Sequence, residues 1–343
     1  MSVRVENARS AACTAGQIWH GSFSVHNRDF RPRLMRNVRV TLQPSPLADF
    51  ALTARVLRRS TRNLIDRMEE DGTWTRVVVL SQGPALLRGA QHGAKITFEA
   101  APAAAADRRA IEALVTRLFA LDADLAPFWR RARREPRFAE LVRRCAGLRP
   151  QRFPTLFEAL ANGICCQQLS LAAGMTRLGH LAERFGPRTP DGTRVGSPDP
   201  GLVARAPLAA LRHAGLSGRR AAELRDLARL PLERFEHELI SLSDAEARAR
   251  LLELPGIGPW TADYVLLRGL GRLDIFPTGD VGAARTLGRI LGRVIEPPAA
   301  VRFAARFAPL RGMLYFCMLG YVLGAPSSAP PEVLRIRDRS PSE

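Results

Sequence analysis

Lysine is almost missing from this chain. Of its 51 basic side chains, Lys95 is the single lysine and the rest are arginine. Chemistry that needs a lysine amine anywhere else in the molecule is therefore excluded. Cysteine is sparse as well: Cys13, Cys145, Cys165, Cys166 and Cys317. None forms a Cys-x-x-Cys pair, so neither a zinc site nor a four-cysteine iron–sulfur site has its spacing here. Vicinal Cys165 and Cys166 lie in a mostly apolar stretch and read as core thiols in a reducing cytoplasm. Tyrosine and tryptophan number only three and four. No apolar run reaches 18 residues, and the N-terminus lacks an apolar segment with a small-residue cleavage site. Neither a membrane span nor a secretory signal is expected.

What is present is positive charge. The formal net charge is +18 over 343 residues, 46% of them hydrophobic. That length suits two domains, or three small ones, with a real core. The charge favours a polyanionic partner, most often nucleic acid, and arginine suits it by gripping phosphate with two parallel N–H groups. A generally basic surface without a specific partner is the plainer alternative.

The hydrophobic period changes along the chain. Residues 1–35 show little periodicity and read as a loose arm. From 36 to about 103 the signals are β-like: Val38–Leu42 alternates, Asp71-Gly72 is a hairpin turn before Thr73–Leu80, and Lys95–Phe98 is a third strand. From 104 onward Ile111, Leu114, Val115 and Leu118 share one helical face, and helical signals continue to 324. Phe157 to Leu178 reads as one long, largely buried helix. Ser217 is placed to cap the helix that follows it. Residues 325–343, rich in proline and serine, read as a disordered tail.

The most informative stretch is Leu252-Glu-Leu-Pro-Gly-Ile-Gly-Pro-Trp-Thr-Ala-Asp-Tyr264. Ser243-Asp-Ala-Glu246 is a capping box that opens a helix. Pro255-Gly256 ends it, Gly256 and Gly258 permit a tight turn, and Pro259 suits the first turn of a second helix. The free amides of such a helix start can hold an anion, so Gly256, Gly258 and Thr261 are candidates for gripping a DNA backbone phosphate without reading sequence. The backbone carbonyls of Leu252, Leu254 and Ile257 are candidates for holding a monovalent cation, Na+ or K+, that bridges to the phosphate. An ordinary helical corner without a ligand is the alternative. Asp280 follows in Phe-Pro-Thr-Gly-Asp-Val-Gly. It suits the cap of the next helix, a position that favours negative charge.

Together, Leu254–Tyr264 and Asp280 resemble the helix-hairpin-helix glycosylases of base excision repair. Within them the chain is most similar to the bacterial DNA-3-methyladenine glycosylase II branch. Phe157–Ser170, Leu118–Asp124, Gly215–Ser217 and Phe307–Gly312 support the likeness, which covers roughly 105–324. The resemblance implies an α+β protein: a small, mainly antiparallel N-terminal β domain over 36–103, then a two-lobed all-α region over 104–324 with a cleft. It implies a monofunctional enzyme that flips alkylated bases of the 3-methyladenine and 7-methylguanine type out of duplex DNA and releases them by hydrolysis. Asp280 would be the catalytic carboxylate, stabilising positive charge on the sugar and handling a water. That branch often carries two adjacent acids; here Gly279 takes the first position and Asp280 acts alone.

Bifunctional relatives place a lysine just after the hairpin, where this chain has Trp260, so water is the expected nucleophile. Trp260 and Tyr264, at i and i+4, share a helix face and either pack in the core or line a base pocket where electron-rich rings attract a cationic base. Gln168, with Leu169 as its rival, stands at the family's wedge position, where a side chain fills the gap left by the extruded base. Arg219, Arg220 and Arg285 are within reach of phosphates or are simply solvated. The expected partner is double-stranded DNA containing a damaged base, met by a cytoplasmic, nucleoid-associated monomer with no nucleotide cofactor. Two readings compete: a non-enzymatic DNA-binding module, and a glycosylase for oxidised or deaminated bases. A metal-dependent nuclease lacks an obvious cluster of acids.

Overall fold

The computed structural model of the protein describes residues 37–44 and 48–324. The arm expected over 1–35, the tail expected over 325–343 and Cys13 lie outside the described residues. Five antiparallel strands come first: β1 (Val38–Leu42), β2 (Asp66–Met68), β3 (Trp74–Leu80), β4 (Gly83–His92) and β5 (Lys95–Ala101). Their order across the sheet is β1-β5-β4-β3-β2. Asp71 makes the β2–β3 turn by accepting the Thr73 amide at 2.9 Å. The longest strand, β4, is one that alternation alone did not reveal: it opens on Gly-Pro and carries Gly89 in its middle.

One helix, α1 (Phe50–Arg58), interrupts the strands, and α2 (Arg108–Phe119) follows them. Both lie on one face of the sheet. Phe50, Ala54 and Leu57 of α1 and Ile111, Val115, Leu118 and Phe119 of α2 share a core with Val40, Trp74, Leu87, Ile96 and Phe98 of the strands. Of the face read from Ile111, Leu114, Val115 and Leu118, three residues are buried and Leu114 packs half-buried against them.

The remaining helices are α3 (Ala126–Arg133), α4 (Ala139–Cys145), α5 (Leu156–Cys166), α6 (Leu171–Phe185), α7 (Pro200–Arg205), α8 (Leu208–His213), α9 (Gly218–Ala228), α10 (Leu232–Ser241), α11 (Asp244–Leu252), α12 (Pro259–Arg268), α13 (Val281–Leu291), α14 (Pro297–Ala304) and α15 (Arg311–Leu323). They build two further cores. One gathers α5, α6, α9, α10, α11 and most of α12. The other gathers α3, α4, α13, α14 and α15, together with Leu52 and Val56 of α1. With the sheet in front, the architecture is α+β, as the sequence led us to expect.

Two pieces of local chemistry shape the region between the helical cores. The single helix expected from Phe157 to Leu178 is in fact α5 and α6, separated by Gln167–Ser170. Gln168 takes the left-handed conformation at φ 56°, and the Ser170 hydroxyl caps α6 by accepting the Ala173 amide. Apolar periodicity runs unbroken through this stretch, so only the serine cap marked the break. The second piece is ionic. Arg76 of β3 pairs with Asp66 at 3.1 Å and with Glu158 of α5, all three buried. It fastens the sheet to the first helical core. Burial resists the charge on Arg76, but the two carboxylates outweigh it and push its pKa upward.

Candidate active site

The hairpin forms as its residues dictate. Ser243 accepts the Glu246 amide while Glu246 reaches back to the Ser243 amide, so both halves of the capping box of α11 are made. Gly256 has φ +76°, a left-handed conformation that side chains rarely adopt, and a Cβ there would lie 2.6 Å from the Glu223 carboxyl carbon. Gly258 caps α12 in extended backbone with Pro259 next. A Cβ at Gly258 would meet nothing within 4 Å, so its outer side is open. The amides of Trp260 and Thr261, in the first turn of α12, have no carbonyl four residues back.

A residue that sequence reasoning passed over holds this loop. Gln167, at the C-cap of α5, donates through its amide to the Gly256 carbonyl and to Thr261 Oγ1, both at 2.8 Å. The Thr261 side chain is buried and committed to that bond, so only its backbone amide remains for a phosphate. Gln168 is exposed beside it and Leu169 is half-buried. Of the cation candidates, the Leu254 carbonyl already accepts the Ile257 amide at 3.2 Å, using one of its two lone pairs.

Asp280 caps α13, its Oδ1 accepting the Ala283 amide at 2.7 Å. Its Oδ2 accepts Trp260 Nε1–H at 2.9 Å. The carboxylate is thereby fixed between the two helical cores. Gly279 before it has φ +77° with open space around it. An acid at that position would be strained by backbone geometry alone, which gives a physical reason for the lone aspartate. Asp263, in α12 and buried, holds the same loop: it accepts the Thr278 amide at 2.9 Å and pairs with Arg248 at 2.6 Å. The sequence offered Asp263 only as part of the hairpin motif.

An open cleft of about 850 Å³ runs past these groups, lined by Gln167, Gln168, Leu169, Arg219, Gly256, Gly258, Trp260, Thr261, Gly279 and Asp280. Arg219 reaches it with its guanidinium largely exposed and paired to Glu223 at 2.7 Å. Arg220 is half-buried on α9 and Arg285 is exposed on α13. Trp260 and Asp280 also belong to the wall of a smaller, mostly apolar pocket of about 270 Å³. Its other walls include Arg59, Cys166, Tyr264, Tyr315 and Met318.

Tyr264 sits at the back of this pocket rather than at its mouth, only 1% exposed. One face of its ring stacks on Trp260, with centroids 5.0 Å apart and planes at 21°. The Arg268 guanidinium lies 5.7 Å from its centroid and its hydroxyl accepts Arg59 Nη1 at 2.7 Å. Trp260 is therefore the aromatic that meets the opening, and Tyr264 supports it. Burial raises the Tyr264 phenol pKa, with the two arginines opposing. Arg59 and Arg268 were not legible as site residues. Arg59 lies in a run of arginines at the end of α1 that reads as solvated surface, and only tertiary packing buries it.

Comparison with known proteins places this arrangement. Residues 161–306 match the HhH-GPD superfamily of base excision DNA repair proteins. The chain is 32% identical over 184 residues to the DNA-3-methyladenine glycosylase of Bacillus subtilis, covering 52% of this chain and 60% of that protein. The chain thus spans about three-fifths of the length of that relative. Among solved structures, the fold is like that of the 3-methyladenine DNA-glycosylase from Archaeoglobus fulgidus, with a TM-score of 0.71 and 24% identity over 83% of this chain and 98% of that one. It is also like the Clostridium acetobutylicum 8-oxoguanine glycosylase/lyase in complex with double-stranded DNA, at a TM-score of 0.62 and 17% identity over 76% of this chain and 88% of that one.

Proposed function

We propose that this protein is a monofunctional DNA glycosylase that excises alkylated bases of the 3-methyladenine and 7-methylguanine type from duplex DNA and leaves an abasic site. The observation that carries the reading is Asp280, fixed by Trp260 and the start of α13 where the hairpin cleft meets a pocket large enough for a base. The first-turn amides of α12 and the open side of Gly258 would hold a backbone phosphate. The nucleotide would swing out of the stack into the pocket, with Gln168 or Leu169 filling the gap. As the glycosidic bond breaks, positive charge grows on the sugar, and the Asp280 carboxylate would stabilise it and orient the attacking water. The family position used by lysine in lyases is Trp260, so no amine is at hand to attack the sugar.

Backbone oxygens of Leu252, Leu254 and Ile257 suit a hard monovalent cation, which would supply positive charge toward the phosphate. The enzyme would act as a monomer on DNA in the cytoplasm, at the nucleoid. The neighbouring 8-oxoguanine glycosylase/lyase makes an oxidised base the second reading, and the lysine-poor site disfavours its lyase step. The test is base release from alkylated, deaminated and oxidised duplexes. Wild type should free alkylated bases without added cofactor, and Asp280→Asn should lose most turnover while still binding DNA. Full activity in that variant, or no base released by wild type, would defeat the proposal.

A further inference from the structure

The base pocket contains a cation that the chemistry above does not use. Arg59 stands just past the end of α1, outside the HhH-GPD domain, and is 7% exposed. Its backbone is left-handed at φ 61°, one of only three non-glycine residues with positive φ among those described. Such strained positions gather at functional sites because surrounding structure must hold them there. What holds Arg59 is Nη1 bonding to the Tyr264 hydroxyl and Nη2 bonding to Asn162. Nε–H has no partner. Among the described residues Arg59 has no carboxylate within ion-pair distance.

The rest of the pocket wall has the same bias. Having accepted from Arg59, the Tyr264 hydroxyl still has its own proton to donate. Burial keeps the Tyr264 and Tyr315 phenols protonated well past neutrality, so both remain donors. Apart from Asp280, no lining side chain is a carboxylate or an amide. A base entering this pocket therefore meets N–H and O–H groups and little that accepts.

We propose that Arg59 is a specificity-determining residue that selects bases presenting a carbonyl oxygen on the edge turned into the pocket over bases presenting an amino group there. For purines this means the 6-oxo class over the 6-amino class. A carbonyl satisfies the guanidinium, whereas an amino group leaves donors facing donors, and burying an unpaired donor is costly. This inference rests on the glycosylase reading above.

The experiment compares release of 7-methylguanine and 3-methyladenine by wild type, Arg59→Met and Arg59→Lys. Both lesions carry a positive charge, and since they also differ in methyl position and in the 2-amino group, the readout is the change in their ratio between variants and not the ratio itself. In Arg59→Met, kcat/KM for 7-methylguanine should fall about 10- to 100-fold more than that for 3-methyladenine, the range expected for a lost charge-assisted hydrogen bond. Arg59→Lys should recover part of the difference. Equal loss on both lesions, or an unchanged ratio, would overturn the proposal. No base release by wild type would instead defeat the glycosylase reading. Should Arg59→Met fail to fold, competition by free bases against wild type serves instead: hypoxanthine should inhibit more strongly than adenine, and equal or absent inhibition by both would count against the role.

Discussion

Trp260 holds Asp280 from the side: indole Nε1–H donates to carboxylate Oδ2 at 2.9 Å, across the gap between the two helical cores. An aromatic that also faces the pocket opening is thus the residue that aims the proposed catalytic group. Trp260→Phe would keep the ring and remove the donor. We expect kcat for base release to drop about tenfold or more, since a hydrogen bond to a charged group contributes about 1.5–3 kcal/mol. DNA affinity should stay near wild type. Single-turnover base release alongside a gel-shift titration separates the two, and an unchanged kcat would show that the indole N–H has no part in placing the carboxylate.

The two hairpin glycines should respond differently to alanine. Gly256→Ala puts a side chain on left-handed backbone, at a cost of about 1–2 kcal/mol, and drives its methyl group against Glu223. Thermal unfolding should show the loss directly. Gly258→Ala meets no neighbour within 4 Å, and its φ of −94° suits any residue. Its melting temperature should be unchanged while DNA affinity falls, because the methyl group occupies the side a phosphate would approach. Equal DNA affinity in Gly258→Ala and wild type would move the phosphate contact elsewhere.

Replacing Arg76 by methionine leaves Asp66 and Glu158 buried without their cation. Removal of one partner from a buried ionic network costs about 3–5 kcal/mol. Urea unfolding followed by circular dichroism should show a shift in unfolding free energy of that size. A shift below about 1 kcal/mol would mean that water reaches the two carboxylates.

Tyr315 sets an alkaline limit. Burial first, and then the nearby Asp280 carboxylate, push its phenol pKa well above the usual value, against the opposing pull of Arg268 and Arg59. The unfolded chain gives up this proton near pH 10 and the folded chain keeps it. Above that pH the folded state binds more protons than the unfolded state, so stability falls as pH rises. Melting temperatures between pH 9 and 11 should therefore decline less steeply for Tyr315→Phe than for wild type, and identical slopes would refute the assignment.

Much of this site can be read in the sequence because its parts are local. The Ser243 capping box, the Ser217 cap, the glycine hairpin and the Asp280 cap each depend on residues within four positions, and each forms as the residue types imply. What escaped notice depends on distant partners. Gln167 looks like any polar residue within a long helix until Gly256 and Thr261 arrive from 89 and 94 residues away. Arg59 looks like surface until Tyr264 covers it from 205 residues away. The break between α5 and α6 was hidden because apolar spacing carried on across it. Tyr264 was legible as an aromatic of the site, but its place behind Trp260 follows from Arg268, whose burial no periodicity reports.

Three stretches of one chain build the pocket: residues 161–306 supply Trp260, Tyr264 and Asp280, the segment ahead of them supplies Arg59, and α15 after them supplies Tyr315 and Met318. Base release would thus be encoded in one of these stretches and discrimination in another. Grafting the sheet and α1 of a differently tuned glycosylase onto these helices would then retarget the protein without altering a residue of its hairpin.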